Sequence, residues 1–206
     1  SSADFGTLTQ THDISSQPPI GDSTRIIVGG GYPSTNNISY FNPETGGNAN
    51  DFGNLTVARH HIGGGSNNTR GVFMGGQAPG KNETIDYVAI RTTGNAADFG
   101  NLATQRRQLG GGASSTRVFA VGGDAQPAIA DQIEFVTIAS TGNSSDFGDL
   151  TEPKASAPAG AGSGTRLLMG GGVTPVYVTT IDKITMASTG NAVNFGNLVS
   201  ARRLIG

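Results

Sequence analysis

The chain has 206 residues, 33 of them glycine, no cysteine, no tryptophan and a formal net charge of −2. Glycine therefore runs at more than twice its ordinary share of about 7%, and charged residues, at 14%, fall well below the usual ~25%. The missing cysteine excludes a disulfide scaffold, a thiolate metal site and a cysteine nucleophile, and 13 Lys+Arg against 15 Asp+Glu argue against a polyanion binder, whose affinity rests on neutralised phosphates.

In chain order, the first landmark is Asp-Phe-Gly at Phe5, followed three residues later by Leu8. Next comes Thr-Arg, a short apolar run and paired glycines, TRIIVGGG from Thr24, and then Ile38. Thr45-Gly46-Gly47-Asn48 leads into a second Asp-Phe-Gly at Phe52 with Leu55. The same order then recurs. Phe5, Phe52, Phe99, Phe147 and Phe195 lie 47, 47, 48 and 48 residues apart, the last within Asn-Phe-Gly. Thr-Arg returns as TRGVFMGG from Thr69, TRVFAVGG from Thr116 and TRLLMGGG from Thr165. Ile85, Ile133 and Ile181 follow the double glycines, and Thr-Gly-Asn turns begin at Thr93, Thr141 and Thr189. Four motifs in fixed order at one period define a repeat protein.

Each unit holds four short apolar segments divided by turn residues, the signature of strands. In the second unit these are VARHHIGGG, RGVFMGG, TIDYVAI and ADFGNLAT. No unit offers a glycine-free stretch with the 3.6-residue period of a helix. Four strands in 40–50 residues is the pattern of a β-propeller blade. The expected organisation is a single array over 1–206. It has an outer strand of an incomplete blade at 1–9, blades at 10–56, 57–103, 104–151 and 152–198, and the first strand of a next or shared blade at 199–206. Glycines suit the innermost strands, where blades converge, and the tight turns between strands. Phe52, Leu55, Phe73, Ile85, Phe99, Leu102, Phe119, Ile133, Phe147 and Ile181 are expected in the core between blades.

The double glycine after an apolar strand, an aromatic segment and an Arg-bearing strand resembles the kelch repeat. The kelch Tyr and Trp at short spacing are replaced here by the Phe of Asp-Phe-Gly, with only Tyr87 fitting the tyrosine. The wording TRGVFMGG...TIDYVAIRTTGNAADFGNLATQRR is more closely similar to kelch-like repeats of marine and cyanobacterial phage virion proteins. That resemblance implies an all-β, kelch-like propeller of four complete four-stranded blades plus split elements of a further blade at the termini. It also implies a virion or extracellular setting and a structural or host-attachment role. The implied partners are other virion proteins, copies of the same chain or a host-surface glycan, with no nucleic acid and no membrane insertion. Fold alone does not fix function. A filament subunit assembled by strand addition and a carbohydrate-acting propeller enzyme are the competing readings.

The repeat also frames the candidate sites. Seven residues after each motif Phe stands His12, Arg59, Arg106, Lys154 or Arg202. These cations either ring a channel and bind an anion or lay their stems over a neighbouring blade and bond loop carbonyls. The Thr-Arg arginines Arg25, Arg70, Arg117 and Arg166 recur as faithfully, as do Phe52, Phe99, Phe147 and Phe195, and recurrence in every unit points to a structural task. His60 and His61, as strand neighbours, should point to opposite faces and so not share a metal. Asn48 and Asp51, Asn95 and Asp98, and Asn143 and Asp146 offer oxygen ligands for calcium or self-bonded Asx-turns. No catalytic group, cofactor or metal is expected. Recognition is expected in the loops after the double glycines, Tyr32 to Asn37, Gln77 to Glu83, Asp124 to Asp131 and Val173 to Thr179, led by Tyr32, Gln77, Asp124 and Tyr177.

The opening residues SSADFGTLTQ lack the basic and apolar regions of a signal peptide. The chain opens on a fourth-segment motif and closes on a first-segment motif, ARRLIG. Three arrangements fit: a segment of a longer array, which the unmatched ends favour, ring closure through a shared blade, or strand addition to a neighbouring subunit.

Overall fold

The computed structural model describes residues 4–10, 20–156 and 159–203. Among these residues there is no helix, and the strands form four antiparallel four-stranded sheets with one small ribbon. Sheet 1 contains β1 (Ile20–Gly21), β2 (Ile26–Gly29), β3 (Thr35–Phe41) and β4 (Asn50–Arg59). Sheet 2 contains β5 (Gly63–Ser66), β6 (Arg70–Ala78), β7 (Gly80–Ala89) and β8 (Ala97–Arg106). Sheet 3 contains β9 (Gly110–Ala113), β10 (Arg117–Val121), β11 (Gln132–Thr137) and β12 (Ser145–Asp149). Sheet 4 contains β13 (Ala159–Gly162), β14 (Arg166–Gly170), β17 (Thr180–Thr185) and β18 (Val193–Asn197), interrupted by a ribbon of β15 (Val173–Thr174) and β16 (Val176–Tyr177). Each sheet follows chain order from edge to edge, and none closes on itself.

One irregularity recurs in every sheet. Ile85 pairs with Gly100 and Asp86 with Asp98, leaving Phe99 as the extra residue of a β-bulge. The same slip leaves Phe52, Phe147 and Phe195 unpaired opposite Ile38/Ser39, Ile133/Glu134 and Ile181/Asp182. A bulge re-aims the side chain it carries. The glycine that follows makes it possible, since Gly100 takes φ +147°, a conformation other residues rarely adopt.

The apolar residues fall into three cores, each shared by two consecutive sheets. Ile27, Ile38, Phe52 and Leu55 of sheet 1 meet Phe73 and Val88 of sheet 2. Val72, Met74, Ile85, Phe99 and Leu102 of sheet 2 meet Val118, Ala120 and Val136 of sheet 3. Phe119, Val121, Ile133 and Phe147, with Leu150 just beyond β12, meet Leu167, Met169 and Ile184 of sheet 4. The alternation of side chains along β6 and β10 makes this possible, because neighbouring residues serve opposite faces. The glycine-rich β5 and β9 bring sheets 2 and 3 into backbone contact: a Cβ on Gly111 would stand 2.2 Å from Gly64 O.

Nine of the ten expected core residues are buried, whereas Ile181 is only half-buried. Ile181 lies on the face of sheet 4 that no further sheet covers, so its position in the repeat is right but its partner surface is absent among the described residues. The expected first segment of the second unit also divides differently. Val57–Arg59 belong to β4, so the recurring cation ends a fourth strand instead of starting a first one.

Candidate functional site

The recurring chemistry of the chain collects at the three seams between sheets. Arg59, at the end of β4, reaches forward to Asp86 on β7 with Nη1 to Oδ2 at 2.9 Å, both side chains fully buried. Arg106 pairs in the same way with Glu134 at 2.7 Å, and Lys154 with Asp182 at 2.8 Å. Each cation also donates to main-chain carbonyls of the sheet ahead: Arg59 to Phe73 O, Arg106 to Gly122 O and Gln132 O, and Lys154 to Thr180 O. The carboxylates are held in turn by the preceding sheet. Asp86 accepts from Thr56 Oγ1 at 2.6 Å and from Thr56 N, Glu134 from Ala103 N, and Asp182 from Thr151 Oγ1. Burial pushes the Arg59 and Arg106 guanidinium groups below their usual range, and Asp86 and Glu134 pull them partly back.

These cations therefore line no channel. They are consumed in seams, where a charge is tolerable only when paired and hydrogen-bonded. Their partner acids escaped the sequence reading. The signal was present, since Asp86, Glu134 and Asp182 each follow the repeat isoleucine by one residue, but pairing across two units has no local spacing rule. Sheet 1 carries Ser39 at this place, bonded to Thr9. His12 lies outside the described residues. Arg202, the last of the series, donates to Ser200 Oγ at 2.5 Å and meets no carboxylate among the described residues.

The Thr-Arg arginines clasp the same seams from another point. Arg25 donates to Ile90 O, Arg70 to Ile138 O and Arg117 to Met186 O, each one sheet ahead. Their guanidinium groups stack over Tyr40, Tyr87 and Phe135, 4.5–4.7 Å from the ring centroids. Arg166, on sheet 4, is exposed, and no described residue accepts from it.

The Thr-Gly-Asn turns complete the seam. Gly94 N–H donates to Phe52 O, Gly142 N–H to Phe99 O and Gly190 N–H to Phe147 O, all at 2.7 Å. Asn95, Asn143 and Asn191 accept from the amides of Asn54, Asn101 and Asp149 at 3.0–3.1 Å. The asparagines are thus neither self-bonded Asx-turns nor a calcium cluster, but staples between sheets. Among the described residues no group of three or more His, Asp or Glu could hold a metal ion.

The expected recognition loops are in part not loops. Gln77 and Ala78 extend β6, and Gly80–Glu83 begin β7, so this stretch is a long hairpin turning at Pro79. Thr35–Asn37 belong to β3, and much of 173–179 folds as the β15–β16 ribbon. Gln77 and Asp124 are engaged with one another's neighbourhood. Arg107 bonds Gln77 Oε1 at 2.6 Å and Asp124 at 2.7 Å, and Lys81 bonds Asp124 at 2.7 Å. Burial raises the Asp124 carboxyl, but Lys81 and Arg107 outweigh it and hold the group below its ordinary range. Lys81 and Arg107 were not anticipated, because each serves a single seam and breaks the repeat.

Tyr32 and Tyr177 are 60% and 51% exposed. Tyr32 lies edge-on to His60 at 5.2 Å, and Ser34 Oγ is 2.9 Å from His60 Nδ1. His60 and His61 do not point to opposite faces. Their rings lie 4.6 Å apart, because β4 has ended and His61 turns the chain at φ +55°.

Among the described residues, no sheet covers the far side of sheet 4. Phe195 is 55% exposed where Phe52, Phe99 and Phe147 are each 2% exposed. No helix among the described residues is long and apolar enough to cross a membrane. No protein-family model matches the chain, and no curated protein matches it.

Proposed function

We propose that this chain is a non-enzymatic, kelch-like β-propeller module of a phage virion, serving as a structural or host-surface attachment element. The observation that carries the reading is the fate of the repeated polar residues. Arg59, Arg106 and Lys154, then Arg25, Arg70 and Arg117, and Asn95, Asn143 and Asn191 are all spent joining one sheet to the next. A symmetric set of seams builds a scaffold, whereas an active site needs a group that breaks the symmetry and stays free to act. The propeller arrangement is supported by the glycine-rich first strands of sheets 2 and 3, which lie in backbone contact as blades converging on an axis do. The virion setting is supported by the resemblance of the repeat wording.

On this reading, recognition falls to the symmetry-breaking aromatics. Tyr32 and Tyr177 are exposed rings of the kind that stack on sugars, while Gln77 and Asp124 are held within the Lys81–Arg107 network. Immunogold labelling of native phage particles should place the chain on the capsid or tail, and label confined to free fibres or absent from particles would overturn the virion reading. A glycan array should show binding that Tyr32→Ala and Tyr177→Ala both reduce. Binding to no glycan would leave the structural role and remove the attachment one.

A further inference from the structure

We infer that the far face of sheet 4 is a self-assembly surface whose occupant is sheet 1 of a second copy of this chain. The inference rests on the scaffold reading above and names its partner. Three internal seams show what such a face requires. In each, a bulged Phe is buried, its carbonyl accepts from a turn glycine one sheet ahead, and a Thr-Arg arginine donates to a carbonyl of that sheet.

Sheet 4 presents the whole set without a recipient among the described residues. A cavity of about 370 Å³ is lined by Gly162, Ser163, Arg166, Leu168, Lys183 and Phe195. The residues equivalent to Leu168 and Phe195 in sheet 3 are Phe119 and Phe147, which are 0% and 2% exposed. A Cβ on Gly196 would meet nothing within 4 Å, while one on Gly148 would strike the Gly190 carbonyl group at 2.6 Å. Backbone, arginine and apolar surface are all in the geometry of a seam, and only the next sheet is missing among the described residues.

Sheet 1 presents the complementary half. Its Gly47 and Ala49 amides donate to Phe5 O and Thr7 O, and Asn48 Oδ1 accepts from Thr7 N. Residues 4–10 thus occupy on sheet 1 the seat that β4 occupies on sheet 2. The seat is thinly covered, since Phe5 is 45% exposed. Asp4-Phe-Gly-Thr-Leu8 and Asn194-Phe-Gly-Asn-Leu198 share the bulge motif, so β18 of one copy fits the place held by residues 4–10 of the next. The exchange replaces a short segment that is not a strand with a whole sheet. Arg202 would then face Ser39, not a carboxylate, so this seam lacks the buried ion pair of the internal ones and forms reversibly. The contact joins different surfaces of the two copies and generates a head-to-tail chain or ring.

Sedimentation equilibrium of the 206-residue chain, from micromolar to near-millimolar concentration, tests this. The expected result is an average mass that rises with concentration. Phe195→Asp should abolish the rise without lowering the melting temperature, because Phe195 lies outside the three cores. Phe5→Asp should strengthen the association by loosening the segment that competes for the seat. A single-chain mass at every concentration overturns the proposal. If that monomer also protects the Asn197 amide from exchange, whose equivalents Asn54, Asn101 and Asp149 donate to the sheet ahead, the face is closed by the chain's own sheet 1. Association that survives Phe195→Asp overturns it too, by placing the contact elsewhere. Particle labelling and sedimentation read different things, so the virion reading can fail while self-assembly stands, and the reverse.

Discussion

Phe147 and Phe195 occupy the same bulge of the same strand in consecutive sheets, yet one is 2% and the other 55% exposed. Everything around them diverges accordingly. Phe147 O accepts from Gly190, Lys154 is buried against Asp182, and Arg117 clasps Met186 O. Phe195 meets Lys183 at 5.7 Å, Arg202 turns back to Ser200, and Arg166 is exposed. A repeat motif therefore does not encode a stabilising contact. It encodes half of one, and the energy appears only when the next unit supplies the other half, as expected of quasi-one-dimensional repeat proteins.

Four measurements would break or sharpen this contrast. The largest effect belongs to the buried pairs. Arg106→Ala strands Glu134 and should cost about 3–5 kcal/mol in urea unfolding, whereas removing both charges as Arg106→Met with Glu134→Leu should be far less damaging. Arg202→Ala, at the exposed end of the same series, should fall within about 0.5 kcal/mol of the parent. Equal losses for Arg106→Ala and Arg202→Ala would end the distinction between seam and open face.

Phe147→Ala should cost about 3–5 kcal/mol through the cavity it leaves, while Phe195→Ala should barely move the melting temperature of dilute chain. The bulge glycines separate strain from collision. Gly100→Ala and Gly196→Ala impose similar positive φ, but only the first drives a Cβ to 2.4 Å from Gly142 O. Gly100→Ala should therefore be worse by about 1–3 kcal/mol, the range for overpacking, as thermal melts of the two variants would show.

The smallest effect concerns acid. Burial pushes the Asp22 carboxyl up, but hydrogen bonds from the Thr24 hydroxyl, the Thr24 and Arg25 amides and Arg91 prevail and hold it at about 2 against an ordinary 3.8. A carboxylate depressed in the folded state contributes stability above its ordinary value and loses it as pH falls towards the folded one. Acid weakening between about pH 4 and 2 should therefore appear at the seam of sheets 1 and 2, where Asp22 grips Arg91. Asn67 and Ser114 take the place of Asp22 in the next two sheets and do not titrate there. Hydrogen exchange against pH would show the difference, and Asp22→Asn should remove it.

Much of the architecture was legible in the residues. The 47–48-residue period gave four strands per unit, and the bulged phenylalanines and paired glycines fell where the period put them. Arg59, Arg106 and Lys154 were legible as a recurring series, with a structural reading beside an anion-binding one, though not with their partners. Asp86, Glu134 and Asp182 each lie about 28 residues downstream of their cations, far beyond any local pairing rule. The hairpin at 77–83 was misread as a loop because its polar residues look like loop residues when their strand pairing is unseen.

The sequence by itself determined the unit: its strands, its turns and which positions must be apolar or glycine. Those depend on backbone sterics and local alternation, which act within a few residues. Only the tertiary structure decided which repeated groups are spent and which remain open. A seam is a contact between residues from two units, and its energy depends on whether a neighbouring sheet excludes water from both sides. That separates Phe147 from Phe195, Lys154 from Arg202 and Arg117 from Arg166, pairs that the repeat itself makes alike.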